Sequence, residues 1–462
     1  MANIKQEDKL RAAFKDRTDQ TIDFKDQYRI MIALIVLTLL VWVMVTLLSK
    51  LILSSNELIF SYLVDHANLY SYAAFACIII VVAVFRSYLY QISAFKDAFG
   101  DGASESIRFF HQTYETDQNS EQIIHTVYTR PTFMRGFRRW LITILTIGAG
   151  GSGGLEGPAI PIGEAMATGV SKHLGIQNVS WLRVLQMCGI STAVTTLLHA
   201  PLTGCIFASE LVFGGRFIYR TLMYSMASSL IAFILSNHIM HVEPLFIIQH
   251  HSLKFTLVEY IYVIIVSIVV SVPSGLGLII IFNRIKSLMS LLPVYTHATI
   301  GACMCVMISA SLWYFCDIEP QHVLGVGEET IIELLQGVPF STLSDWTILL
   351  TILVSKIILT GFTIVSGGSA GLLIPAVFVG VCASSSLYIL LSHAAFYFMT
   401  PDLYQLFLLV GIASSLICIV DLPIATIILV TELFGVSFLP PAILAVAVSR
   451  VLANYYKKNF IH

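Results

Sequence analysis

Apolar residues in this chain come in long unbroken runs rather than at alternating or one-face spacing. Ile30 to Leu48 is apolar and uncharged, close to the roughly 20 residues that a bilayer demands of a spanning helix. Further runs follow at Ala73–Phe85, Thr221–Ser236, Tyr260–Val272, Trp346–Ile364, Leu403–Val420 and Ser437–Val448. The pattern predicts an all-α, polytopic membrane protein. Between the runs lie apolar pieces interrupted by glycine and proline: Leu141–Ile147, Pro158–Val170 and Pro375–Leu391. These read as too short or too broken to be simple spans. Irregular backbone at membrane depth is tolerated only where protein or a water-filled cavity satisfies the freed polar groups. The breaks therefore point to a transport site.

Composition sharpens this picture. Of 462 residues, 56% are hydrophobic and 12% charged, with mean hydropathy +0.82. Soluble domains carry roughly twice that share of charge, so lipid must be the solvent for much of the surface. A net charge of −2 argues against nucleic acid as a partner. The eight cysteines sit mostly in apolar stretches; only Cys303 and Cys305 are closely spaced, with no second pair or histidine at ligand spacing. They read as small apolar side chains, with neither a metal nor a disulfide expected.

No cleavable signal peptide is expected at the start. Met1 to Arg29 is polar and mixed in charge, and the basic residues predict a cytoplasmic segment. Leu10, Ala13 and Phe14 would share one face of a short interfacial helix. Lys457 and Lys458 place the other terminus on the same side, so the number of crossings should be even. The expected organisation is residues 1–29 as a cytoplasmic segment, 30–240 and 241–456 as two membrane repeats, and 457–462 as a short cytoplasmic tail.

The repeat is visible in the residues. Gly151-Ser-Gly-Gly-Leu-Glu-Gly-Pro158 through Gly163 aligns with Gly368-Ser-Ala-Gly-Leu-Leu-Ile-Pro375 through Gly380. Gly189-Ile-Ser-Thr matches Gly411-Ile-Ala-Ser. Pro201 to Glu210 matches Pro423 to Glu432. Three matches in one order at near-constant separation define two related halves, parallel or inverted. Broken segments at corresponding positions of two halves point to a midplane binding site.

In each copy a glycine-rich turn feeds a helix with proline in its first turn, where a missing N–H costs nothing. Glycine lets bare amides approach a ligand closely. Two helix N-termini, each carrying roughly half a positive charge, would hold an anion without lysine or arginine. Gly148-Ala-Gly150-Gly-Ser-Gly153 also satisfies the dinucleotide G-x-G-x-x-G spacing, but no acid follows about 20 residues on and the motif recurs in the second half, so a nucleotide fold is rejected.

These motifs resemble a known family. Gly154-Leu-Glu156-Gly-Pro158 is similar to the G-K/R-E-G-P signature of the CLC chloride channels and proton/chloride exchangers. Gly371-Leu-Leu-Ile-Pro375 resembles their G-x-F-x-P signature, and His199-Ala-Pro-Leu-Thr-Gly204 with Glu210 resembles N-A-P-L-A-G…E. The resemblance spans about Ile30 to Ala453. It implies two inverted halves with discontinuous, tilted helices, a homodimer with one pore per subunit, and, for a prokaryotic type, the bacterial inner membrane. It also implies that Glu156 is the gating and proton-handling glutamate. The implied anion-binding set is Gly154, Leu155, Gly157 and Pro158 with Gly371, Leu372, Leu373, Ile374 and Pro375, in which the backbone amides of Leu155, Glu156, Gly157, Leu372 and Leu373 would cradle the anion. Chloride is then the bound substrate, with no cofactor and no enzymatic role.

Departures from the family pattern carry information. The inner-gate stretch G-S-G-I-P is matched by Gly100-Asp101-Gly-Ala-Ser104. Asp101 is either a second proton-sensitive group or a helix cap, and Ser104 is a candidate for the hydroxyl. Leu211 stands where exchangers often carry an internal glutamate. Glu210 and its repeat partner Glu432 read as structural acids bonding broken helix ends. Tyr455 and Tyr456 are the nearest candidates for the family's late tyrosine. Nucleotide-binding CBS domains are not expected. The residues thus support proton-coupled chloride exchange gated by Glu156, with a passive anion channel, or transport of fluoride or nitrate, as the alternatives.

Overall fold

The computed structural model describes residues 24–65, 69–112, 120–130, 132–215, 217–240, 255–337, 345–393 and 401–460. The first half builds α1 (Phe24–Asp65), α2 (Leu69–Gln91), α3 (Ala103–Gln112), α4 (Ser120–Tyr128), α5 (Phe133–Thr143), α6 (Glu156–His173), α7 (Val179–Leu198), α8 (Pro201–Phe213) and α9 (Tyr219–Ile239). The second builds α10 (Leu257–Ser271), α11 (Leu278–Ser290), α12 (His297–Cys316), α13 (Glu328–Leu335), α14 (Trp346–Val365), α15 (Leu373–His393), α16 (Pro401–Ile419), α17 (Pro423–Phe434) and α18 (Leu439–Phe460). Ten stretches of the described residues are long and apolar enough to cross a bilayer, and the chain is an integral membrane protein.

Several boundaries differ from the sequence expectation. α1 has 42 residues, about 63 Å at 1.5 Å per residue, so it must lean across or project from a core of roughly 30 Å. The run expected to end at Val272 continues through a wide π turn at Val272–Gly277 into α11, as one stretch, Leu257–Ser290. Pro273 sits in that turn, where the loosened ladder absorbs its missing N–H. Pro375–Leu391 is not broken either: α15 runs 21 residues unbroken, with Pro375 in its first turn. The spans Val179–Leu198 and Val294–Cys316 were not among the expected runs. The first is 94% buried, because polar residues such as Gln186, Ser191 and Thr195 face protein rather than lipid and dilute the apolar signal. The interfacial helix expected around Leu10, Ala13 and Phe14 lies outside the described residues.

Both halves close their cores by the same device. An added Cβ at Gly163 would stand 2.7 Å from the Gly189 carbonyl carbon, and one at Gly380 would stand 2.7 Å from that of Gly411. Helix α6 therefore crosses α7, and α15 crosses α16, backbone on backbone. In a membrane such close approach supplies the packing energy that the hydrophobic effect cannot. The eight cysteines are free, and no cluster of metal-ligating side chains occurs among the described residues.

Candidate functional site

The two glycine-rich turns meet at the centre of the fold. Gly154 donates its amide to the Gly371 carbonyl at 2.9 Å, and Gly371 returns the bond to Gly154 at 2.7 Å. This isolated antiparallel bridge brings the N-termini of α6 and α15 together. Two members of the implied anion-binding set, Gly154 and Gly371, thus use their amides on each other. The hydrogen-bonded ladders begin at Ala159, which donates to Leu155, and at Ala376, which donates to Leu372. The donors left at the two helix ends are those of residues 155–157 and 372–374.

Two swapped pairs of hydrogen bonds lock the turns. Thr146 Oγ1 accepts the Ser369 amide at 3.2 Å, and Thr363 Oγ1 accepts the Ser152 amide at 3.1 Å. Each threonine carbonyl also takes the amide five residues on, Gly151 for Thr146 and Gly368 for Thr363, at 3.0 and 2.9 Å. Each half thus holds the other's turn. The structural acids repeat the exchange. Glu210 accepts from the Ile424 and Ala425 amides at 3.1 and 2.7 Å. Glu432 accepts from the Leu202 and Thr203 amides at 3.1 and 2.9 Å and from Thr203 Oγ1 at 2.7 Å. Each carboxylate covers the positive N-terminus of the other half's short helix.

Glu156 opens α6 and is 3% exposed. Its carboxylate is drawn to the amides of Glu156 itself and of Ile374 in the opposing half, while Oε2 has no partner among the described residues. The side chain therefore lies across the space between the two helix ends. Glu328, at the start of α13, is an acidic group within electrostatic reach of Glu156. Sequence reasoning missed it.

It also missed two buried cations. Lys356 is fully buried and donates to the carbonyls of Val323, Leu324 and Gly325 at 3.2, 3.4 and 3.0 Å. The Gly325 carbonyl in turn accepts the Gly153 amide at 3.2 Å, so Lys356 holds one rim of the first turn. A lone lysine within the run Trp346–Ile364 was the available signal. Arg139 on α5 is 1% exposed. It donates to the carbonyls of Gly100 and Asp97 at 2.7 and 3.0 Å, to Glu105 Oε2 at 3.0 Å and to Ser369 Oγ at 3.4 Å. It ties the loop before α3 to the second glycine turn.

That loop is the expected inner gate. Asp101 Oδ2 accepts the Ser104 hydroxyl at 3.2 Å, so the hydroxyl proton that Ser104 was expected to offer an anion is given to Asp101. An added Cβ on Gly157 would stand 2.7 Å from the Asp101 carbonyl oxygen, so the loop lies against the first motif by its backbone. Tyr456 packs instead on the π turn, its ring 2.9 Å from where a Gly275 Cβ would be, and Tyr455 is 61% exposed. No described contact brings either tyrosine to the glycine turns.

Residues 82–454 match the family described as voltage gated chloride channel. An uncharacterized protein of Methanocaldococcus jannaschii is 24% identical over 67% of this chain and 72% of its own length. A chloride/fluoride channel protein of Pseudomonas syringae is 22% identical over 66% of this chain and 64% of its own, a little under two thirds of that relative. Among solved structures, a slow cyanobacterial Cl⁻/H⁺ antiporter superposes at TM-score 0.74 with 17% identity, covering 94% of this chain and 96% of that one. A CLC-type fluoride/proton antiporter gives 0.71 at 19% identity, over 94% and 98%. At such identities the structural likeness is one of fold.

Proposed function

The chain belongs to the voltage gated chloride channel family, and on that premise we propose that it moves chloride across the membrane in exchange for protons, with Glu156 as the gate. The observation that carries this reading is the position of the Glu156 carboxylate against the Ile374 amide of the opposite half. A negative group already occupies the place where two helix N-termini offer amides and partial positive charge to an anion. Carboxylate and chloride compete for one site. Protonating Glu156 removes its charge, releases it from the amides and admits the anion; deprotonation returns it. One proton then accompanies the opening that lets anions pass.

The donors are partial charges on Glu156, Gly157, Leu372, Leu373 and Ile374 rather than whole ammonium groups. Binding is therefore strong enough to replace hydration and weak enough to release. The fluoride/proton antiporter and the chloride/fluoride channel among the similar proteins make fluoride the competitor to test against chloride. We further propose a homodimer in the bacterial plasma membrane, with both termini cytoplasmic and the repeat boundary near residue 240.

Passive conduction is the second reading, favoured by Leu211, the residue beside the capping acid Glu210, where proton-carrying relatives often hold another glutamate. Reconstitution separates the two. In proteoliposomes with equal chloride on both sides, an imposed proton gradient should drive net chloride movement against its own gradient once that develops. A channel would let chloride follow voltage only, with no such uphill phase.

A further inference from the structure

Arg86 sits on α2 inside a spanning helix, 6% exposed. A lone cation at such depth is costly unless something opposite in charge meets it. No carboxylate among the described residues pairs with it, and the titratable group that acts on it is the Cys305 thiol. One guanidinium nitrogen, Nη1, donates to Thr146 Oγ1 at 2.9 Å. Nε is buried with no partner.

The group lines a small, partly open pocket shared with Thr146, Gly151, Cys305, Thr363 and Ser366. The hydroxyls around it have given their protons away: Thr146 to the Ile142 carbonyl at 2.7 Å, Thr363 to Leu359 at 2.9 Å and Ser366 to Thr363 at 3.1 Å. The Gly151 amide is used as well, on Thr146. Arg86 is the charged donor the pocket offers, and the pocket has room for about one water-sized occupant, the scale of a single small ion. A dry apolar void or a neutral ligand would leave the positive charge uncompensated.

We infer that the Arg86 cavity is a second binding site for a small monovalent anion, separate from the site at Glu156. That the anion is a halide rests on the proposed function; that the cavity takes negative charge rests on Arg86 alone. The site lies directly behind the glycine turns, since Thr146 Oγ1 accepts both the Arg86 guanidinium and the Ser369 amide. An anion bound there would draw the guanidinium toward itself and alter the link that positions the second turn.

Bromide in place of chloride tests this by anomalous diffraction from crystals of the full chain, in the Glu156→Gln background so that the central site is free to fill. Two peaks are expected, one near the Leu373 and Ile374 amides and one within about 3.5 Å of an Arg86 nitrogen. Arg86→Met should erase the second and keep the first, and Arg86→Lys, which keeps the charge, should retain it. A central peak with nothing at Arg86, or a cavity peak that survives Arg86→Met, overturns the inference. A cavity peak without a central one would leave this site standing and count against the proposed transport site.

Discussion

Gly154 and Gly371 exchange two backbone hydrogen bonds, at 2.9 and 2.7 Å, across the junction of the two halves. Residues 217 positions apart thus form an isolated antiparallel bridge between turns that lead into helices. Each glycine gives up its amide to the other, and the junction sets the separation of the two helix ends that flank Glu156. A side chain has no room there: a Cβ on Gly371 would stand 3.1 Å from Gly157 Cα, and one on Gly157 would stand 2.7 Å from Gly371 Cα. Gly371→Ala and Gly157→Ala should each cost about 1–3 kcal/mol of stability, the usual range for overpacking, and should nearly abolish anion efflux from liposomes. Gly277→Ala, at a helical φ of −60° where an added Cβ would meet only the Val272 carbonyl oxygen at an ordinary 3.8 Å, is the control and should keep transport. Normal efflux in both junction variants would show that the spacing of the turns is not critical.

The reciprocal capping by Glu210 and Glu432 makes a separate prediction. Glu210→Gln and Glu432→Gln each replace charge-assisted bonds to helix-end amides with weaker ones. Each should lower thermal stability in detergent by roughly 1.5–3 kcal/mol, while leaving the ratio of chloride to nitrate flux as it is. A changed selectivity without loss of stability would place these acids in the ion path instead.

Arg139→Met should strand the Gly100 and Asp97 carbonyls that the guanidinium now satisfies and leave Glu105 without its ion pair. Losing one member of a buried pair typically costs about 3–5 kcal/mol. Arg139→Lys should recover folding in part but not the fork of bonds that joins the Asp101 loop to Ser369. Efflux assays and thermal unfolding on both variants check this, with folding rescued more than transport by lysine.

His322 lies between α12 and α13, outside the spanning helices. Its Nδ1 pairs with Thr330 Oγ1 at 2.9 Å, and burial pushes it down to about 4. The folded state thus prefers the neutral ring. The stability this confers is fully present above the unfolded value of about 6.5 and is lost as pH falls toward 4, roughly 3 kcal/mol at the limit. His322→Asn should flatten the acid side of the thermal stability curve. A curve of unchanged shape would mean that another group governs the acid transition.

Much of this organisation was legible in the residues. The runs of apolar residues marked the spanning class, and the Gly-Ser-x-Gly-Leu repeat located the two turns. Glu210 and Glu432, buried acids at equivalent positions, pointed to helix ends, although which ends they reach, each in the other half, depends on tertiary packing. The threonines at 146 and 363 stand at the same offset before both glycine turns, so the repeat register could have found them. The ladder between Gly154 and Gly371 could not be foreseen, because it pairs segments that only the folded halves bring together. Glu328 and Arg139 were hidden for the same reason, since each reaches the site from an element that carries no motif. The polar face of α7 concealed a span, because hydropathy measures affinity for lipid and that helix is surrounded by protein.

The central claim is that Glu156 holds the anion's place and yields it on protonation. Its most direct test is the pH dependence of chloride flux in liposomes for the wild-type chain and Glu156→Gln. Wild-type flux should rise as pH falls and carry protons with it, whereas the Glu156→Gln protein should conduct chloride at a rate independent of pH and without proton movement. If the two proteins show the same flux and the same pH profile throughout, Glu156 is not the gate and the account fails.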